Sequence, residues 1–186
     1  MLRVAAKNKF AGKAVTRTGG YASRFLLRYH GDMQYQAKLK TPFGVLGILC
    51  TDEALTGIEF LAPGTMPQAP HTAMAQKACE QLRAYVADPD SPFTIPLSVG
   101  GTLHQRKVWE AMRAIPRGQT RSYGEVAAQL HSSALAVGQA CGANKIPIII
   151  PCHRIVGKSG MGGFAKQREG YLLEIKRWLL AHEGAI

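Results

Sequence analysis

From residue 33 to residue 61 the chain reads MQYQAKLKTPFGVLGILCTDEALTGIEFL, alternating apolar and polar positions around a Pro-Phe-Gly turn. Period-two alternation marks half-buried strands, and "GVLGILCT" and "LTGIEFL" flank the turn-forming "DEA". This predicts a small antiparallel sheet. After the loop "APGTMPQAP" the period changes. In "HTAMAQKACEQLRAYVAD" the residues Ala75, Ala78, Leu82, Tyr85 and Val86 recur at helical spacing. "PDSPFTIPLSVGGT" then reads as a Pro/Gly-rich linker, with a boundary at Gly100 or Gly101.

The second half is mainly helical. "TLHQRKVWEAMRAI" offers Thr102 as N-cap and an apolar face of Val108, Trp109, Met112 and Ile115. "PRGQT" ends that helix, Ser122 caps "YGEVAAQL", "HSS" turns, and "ALAVGQACGAN" forms a second short helix. Two helices across a tight turn make either a helix-turn-helix or an ordinary αα-hairpin. The second helix is slim, with Ala134, Ala136, Gly138, Ala140, Gly142 and Ala143. It is suited to enter a narrow groove or to pack closely on another helix. "KIPIIIPCHRIV", the glycine loop "GKSGMGG" and the amphipathic helix "YLLEIKRWLLAHE" complete the chain. The expected fold is therefore α/β, of the α+β kind: a sheet-plus-helix domain over 33–100 and a mainly helical domain with the helix pair over 101–186.

Residues 1–32 lack this periodicity. They are basic and rich in Gly, Ala, Thr and Ser, without the apolar core of a secretory signal. They read as a disordered extension, or as upstream sequence read through to a start at Met33. With 186 residues and no apolar run of about 18, the chain can bury a real core and is expected to have no membrane span. The cysteines, at 50, 79, 141 and 152, form no C-x-x-C pair, which suggests reduced thiols and a cytoplasmic protein.

The net charge of +11 is uneven: residues 32–103 carry −3 and residues 104–186 carry +7. The C-terminal half is either a polyanion-binding surface or simply a solvated basic one.

The candidate chemistry lies in "IIIPCHRIV", residues 148–156. A thiol is a strong nucleophile only as thiolate, so it needs a cation, a helix N-terminus or a base nearby. Cys152 follows an apolar run, and His153 and Arg154 are placed to be its polar partners. A buried inert cysteine is the bland alternative. The local signatures of cysteine proteases are missing.

"IPCHRIV" resembles the active-site signature of the O6-alkylguanine-DNA alkyltransferases, the methylated-DNA–protein-cysteine methyltransferases. "VWEAMRAIPRGQTRSYGEVA", "AVGQACGANKIPIIIPCHRIVG" and "KRWLLAHE" resemble, in order, the family's approach to its helix-turn-helix, its recognition helix with active-site strand, and its C-terminal helix. The likeness runs over most of the chain from Met33. It implies irreversible transfer of an alkyl group from O6 of guanine, and from O4 of thymine, to the protein's own cysteine after base flipping. It further implies double-stranded DNA carrying O6-alkylguanine as partner, a monomer, and no cofactor.

By the same resemblance Cys152 accepts the alkyl group, His153 deprotonates it through a water, and Glu183 orients His153. Asn144 ties the turn before the active-site strand, and Tyr123 protonates the departing guanine. The carbonyls of Cys152 and Ile155 read the base, and Phe164, Arg154 and Ser159 belong to the pocket. Leu135, Ala134, Gly138, Ser122, Gly124, Arg121, Lys145 and Lys158 fall on the DNA side. Leu135 stands where the family carries an arginine that fills the flipped base's place. The segment between Tyr123 and Leu135 is about two residues shorter than usual, and "KQREGYLLEI" adds residues before the last helix. Some relatives hold zinc in the N-terminal domain, but Cys50, Cys79, His71 and His104 match no zinc spacing, so no metal is expected. The competing readings are a binder of alkylated DNA without transfer, whose relatives lack the cysteine that Cys152 provides, and a variant impaired in base flipping by Leu135. A transcriptional regulator is weaker still, since no effector domain is visible.

Overall fold

The computed structural model describes residues 35–165, 167 and 169–186. The expectations for residues 1–32 lie outside the described residues. Strands β1 (Ala37–Thr41), β2 (Gly44–Cys50) and β3 (Leu55–Phe60) form an antiparallel sheet in that order. Their alternation buries Leu39, Leu46, Ile48, Leu55 and Ile58. Helix α1 (Ala73–Ala87), capped by Thr72, contributes Ala75, Ala78, Cys79, Leu82 and Tyr85 to the same core.

The expected linker is not loose. Leu55 N–H donates to Pro96 O and Ser98 N–H to Leu55 O, each at 2.9 Å, and Ile95 is buried. The prolines remove donors, so this segment offers only a few bonds to the edge of β3, but it is packed there.

Helix α2 (Leu103–Arg113) starts from a Thr102–Gln105 capping box and buries Val108, Trp109 and Met112. Ser122 and Glu125 form a second capping box at α3 (Tyr123–Gln129), and Ser133 caps α4 (Ala134–Gly142). Trp109 Nε1–H donates to Ala140 O at 2.9 Å, so the slim α4 packs on α2. β4 (Arg121–Ser122) pairs in parallel with β5 (Ile155–Val156), and α5 (Tyr171–His182) closes the fold. Among the described residues, no helix is long and apolar enough to cross a membrane.

One expectation is corrected. Residues 148–150 are a buried turn, not a strand, and Ile148 has φ +75°. Pro147 and Pro151 flank the run and remove the N–H groups a ladder would need. Asn144 substitutes for the ladder: its Nδ2 donates to Ile150 O at 2.8 Å, and its Oδ1 accepts from Ile146 N–H at 3.0 Å.

Candidate active site

Residues Cys152–Arg154 form one turn of 3₁₀ helix between that buried turn and β5. Cys152 lies at a cavity of about 930 Å³ bordered by Tyr123, Leu135 and Gly138 and by Cys141 and Phe164. One wall is α4; another is the glycine loop. Gly162 has φ +68°, and a Cβ there would meet Gly157 N and the Tyr123 ring at 3.0 Å, so the close approach needs glycine. Burial pushes the Cys152 thiol up; Asn144, the Lys176 cation and backbone N–H groups act in the opposite direction without overcoming it.

Behind the thiol, His153 is fully buried, and its Nε2 lies 3.0 Å from Glu183 Oε1. Glu183 is the C-cap of α5 and is also buried. Arg154 grips the same carboxylate with Nε to Oε2 at 2.8 Å and Nη2 to Oε1 at 2.9 Å, while its Nη1 donates to Ile115 O at 2.6 Å. The Tyr85 hydroxyl donates to Oε1 at 2.8 Å. Burial alone would raise the Glu183 carboxyl, but the hydrogen bonds and positive charge of His153 and Arg154 hold it well below its usual range. Burial lowers the His153 imidazole despite Glu183. The imidazole is therefore neutral at rest, with Nε2–H directed at the carboxylate and the Nδ1 lone pair available. Nδ1 is buried and has no hydrogen-bond partner.

The structure brings Cys152, His153, Glu183, Asn144, Tyr123 and Phe164 together. Tyr123 Oη donates to Gly163 O at 3.3 Å. Leu135, Ala134 and Gly138 border the cavity. Ser122, Gly124 and Lys158 line an adjoining groove, while Arg121 and Lys145 are exposed. Three residues expected at the pocket do not line it. Arg154 spends its guanidinium on Glu183 and Ile115 O, and Ser159 sits exposed in the 157–160 turn. Ile155 is fully buried, and its carbonyl, expected to read the base, already accepts from Lys176 Nζ at 2.7 Å.

Sequence reasoning missed Lys176. Its side chain is fully buried, and Nζ also donates to Met161 O at 2.5 Å and Gly163 O at 3.1 Å, tying the glycine loop to β5. Burial lowers its pKa to about 8, with Cys152 and Cys141 opposing. The clue in the sequence was its place on the apolar stripe Leu172–Lys176–Leu179. Tyr85 was read only as core, and Cys141, a second thiol at the cavity, was singled out for no role there. Burial and Cys152 push the Cys141 thiol up to about 12. Among the described residues, no three His, Cys, Asp or Glu side chains converge as a metal site requires.

Fold and site define a class: a protein that sets a cysteine, backed by a buried imidazole–carboxylate pair, in a cleft walled by the second helix of a helix-turn-helix pair. Two family models match the chain. Residues 34–99 match the ribonuclease-like domain of 6-O-methylguanine DNA methyltransferase, and residues 103–185 match its DNA binding domain. The constitutive methylated-DNA–protein-cysteine methyltransferase of Bacillus subtilis is 36% identical over 160 residues, 78% of this chain and 96% of that one. The crystal structure of Mycobacterium tuberculosis O6-methylguanine methyltransferase superposes with a TM-score of 0.67 at 36% identity, covering 80% of this chain and 91% of that one. A structure of the same mycobacterial protein in complex with DNA gives 0.65, also at 36% identity, with the same coverage of 80% and 91%. The chain belongs to the 6-O-methylguanine DNA methyltransferase family.

Proposed function

We propose that this protein repairs double-stranded DNA by moving an alkyl group from O6 of guanine to Sγ of Cys152, once per molecule. The observation that carries this reading is Cys152 at the α4-walled cavity with the neutral His153 imidazole and ionised Glu183 behind it. His153 Nδ1 takes the thiol proton through a water, and Glu183 stabilises the imidazolium. Sulfur then bonds the alkyl carbon as the carbon–O6 bond breaks. Guanine leaves well only if protonated as it departs, and Tyr123 at the cavity rim supplies that proton. The phenolate recovers a proton from the imidazolium by way of solvent, so the thiol's proton ends on guanine. The thioether has no activated bond for water to attack, which makes the protein single-use.

The target atom is out of reach in a stacked duplex, so the nucleotide must leave the stack. Leu135, 74% exposed at the start of α4, is placed to fill the gap as an apolar wedge. Ser122, Gly124 and Lys158 in the adjoining groove meet phosphates, and the exposed Arg121 and Lys145 add positive charge. Four free cysteines suit a monomer working in the reducing cytoplasm. Incubation with duplex O6-methylguanine DNA and intact mass analysis tests the reading: a single gain of about 14 Da on Cys152 is expected. Tight binding without any adduct favours the non-catalytic binder.

A further inference from the structure

Glu183 Oε1 has three neighbours that can donate to it. His153 Nε2 is at 3.0 Å, Arg154 Nη2 at 2.9 Å and the Tyr85 hydroxyl at 2.8 Å, while Oε2 takes Arg154 Nε at 2.8 Å. Two of these residues, His153 and Arg154, lie within two positions of Cys152 in sequence. Tyr85 does not: α1 delivers it from 98 residues away. Its side chain is held on several sides. Its ring lies 5.6 Å from that of Phe93 and edge-on to His182 at 5.3 Å. His182 Nε2 sits 2.8 Å from Tyr85 O, and the His182 ring stacks on Trp178 at 4.6 Å. The hydroxyl therefore has one direction to point in, and that direction is Glu183.

We propose that Tyr85 is a positioning residue for alkyl transfer, whose hydroxyl fixes the direction of the Glu183 carboxylate and sets how strongly that carboxylate holds the His153 imidazole. This rests on the transfer reading above. The physical basis is competition at one oxygen. Each donor to Oε1 withdraws electron density that the His153 Nε2–H bond would otherwise use. Arg154 forks across both oxygens and defines the carboxylate plane. Tyr85 adds a neutral donor outside that fork. Its own ionisation is suppressed by burial and by the Glu183 charge, so it remains a donor throughout the neutral range. Removing the hydroxyl leaves Oε1 more basic and less restrained, and the imidazolium form of His153 is then better stabilised. A more basic imidazole keeps its proton to higher pH, so the neutral form that must accept from Cys152 is lost earlier as pH falls. The other charged or titratable groups facing His153 are Arg154 beside it, Cys152 before it and Lys176 from α5. Those facing Tyr85 and Glu183 are His182, His153 and Arg154. None of these is altered by Tyr85→Phe, which keeps the ring between Phe93 and His182.

The test uses the full chain with two changes of opposite sign at one position. Tyr85→Phe deletes the donor, and 3-fluorotyrosine at position 85 strengthens it by acidifying the phenol. The first readout is the proton resonance of His153 Nε2–H in the free protein, assigned by its loss in His153→Asn. It is expected downfield in Tyr85→Phe and upfield in the fluorotyrosine protein. The second is the pH profile of single-turnover transfer from an O6-methylguanine duplex. Its acid limb is expected about 0.5–1 unit higher in Tyr85→Phe and lower in the fluorotyrosine protein, so that transfer at a pH below the limb is about 3- to 10-fold slower in Tyr85→Phe. Duplex affinity should not change. An Nε2–H resonance and acid limb that stay at the wild-type position in both proteins, whatever happens to melting temperature, overturn the proposal. So do shifts in the same direction for both. If Tyr85→Phe does not fold, the fluorotyrosine protein alone decides. A wild-type protein that takes no alkyl group at Cys152 instead refutes the transfer reading, and the Nε2–H resonance still decides whether Tyr85 tunes the Glu183–His153 pair.

Discussion

Replacing Lys176 with methionine removes the ammonium while keeping the length of the side chain. In the fold this group holds Ile155 O, Met161 O and Gly163 O. Keeping it there, where its pKa drops from 10.5 to about 8, costs about 3 kcal/mol at neutral pH. Methionine relieves that cost and strands the three carbonyls. A hydrogen bond to a charged group contributes roughly 1.5–3 kcal/mol, so the loss of three exceeds the relief by roughly 1–6 kcal/mol. A destabilisation near 3 kcal/mol lowers the melting temperature by about 6–12 °C for a chain of this size. The pH dependence carries a sign. Between about 8 and 10.5 the unfolded chain keeps a proton on this lysine that the folded chain has released, so its contribution to stability rises with pH there and is lost as pH falls through about 8. The thiols of Cys141 and Cys152, raised on folding, act in the opposite direction. The quantity to follow is therefore the gap between wild type and Lys176→Met by urea unfolding at pH 7, 8, 9 and 10. The gap should widen with pH as the wild-type lysine sheds its cost. Because the same three bonds fix the glycine loop at the cavity, transfer from free O6-benzylguanine should fall as well. A methionine variant at least as stable as wild type at pH 7, with unchanged reactivity, refutes the assignment of these bonds.

Cys152→Ser should abolish transfer and leave affinity for alkylated duplex within about threefold, since binding rests on the helix pair and the basic surface; an adduct on Cys141 in that variant, seen by peptide mass mapping, would overturn the nucleophile assignment. Affinity should fall steeply between 50 and 200 mM salt, about tenfold or more, and a flat titration would show that the +7 half does not meet phosphates. Leu135→Arg should speed transfer from duplex about 2- to 100-fold: a charged donor to the orphan base contributes roughly 1.5–3 kcal/mol, less roughly 0.3–1 kcal/mol for a cation in the first turn of α4. Reaction with free O6-benzylguanine should not change, and equal gains on both substrates would place Leu135 in the pocket rather than the stack.

The elements of this fold were legible where local rules decide. Alternation marked the three strands, and Thr102 and Ser122 announced α2 and α3 because an N-cap satisfies orphan N–H groups whatever lies beyond. Where two local signals disagreed, the reading failed. Three successive isoleucines favour a strand, but Pro147 and Pro151 remove its bonds, and a buried turn braced by Asn144 results. The candidate site divided along the same line. Cys152, His153 and Arg154 are contiguous and could be read directly, and the family likeness supplied Asn144, Tyr123 and Glu183. Lys176 and Tyr85 could not be read this way. Each sits on the apolar stripe of its helix, and only the tertiary structure shows that three carbonyls or a carboxylate meet its polar tip. Arg154 was misplaced for the complementary reason, because adjacency to Cys152 says nothing about which side of a 3₁₀ turn its side chain takes.

These long-range contacts bear on why a chain whose chemistry and helix pair fall in its second half carries a sheet in its first. The Tyr85 hydroxyl reaches Glu183 from α1, and Ile58 N–H on β3 donates to Lys145 O at 2.8 Å, next to the Asn144 brace. The Phe60 ring lies 5.3 Å from Phe164 at the cavity, and Phe43 lies 4.6 Å from Trp178 on α5. Residues from β1–β2, β3 and α1 thus support the turn before Cys152, the cavity wall and the helix that ends in Glu183. Each contact is modest alone, at about 0.5–1.5 kcal/mol for an aromatic pair or a neutral hydrogen bond. Together they add to the restraint that the Glu183 and Lys176 bonds already place on these three segments. In the proposed transfer the base takes a proton from sulfur within a single encounter and cannot search for its geometry, so the positions that the sheet enforces serve that step.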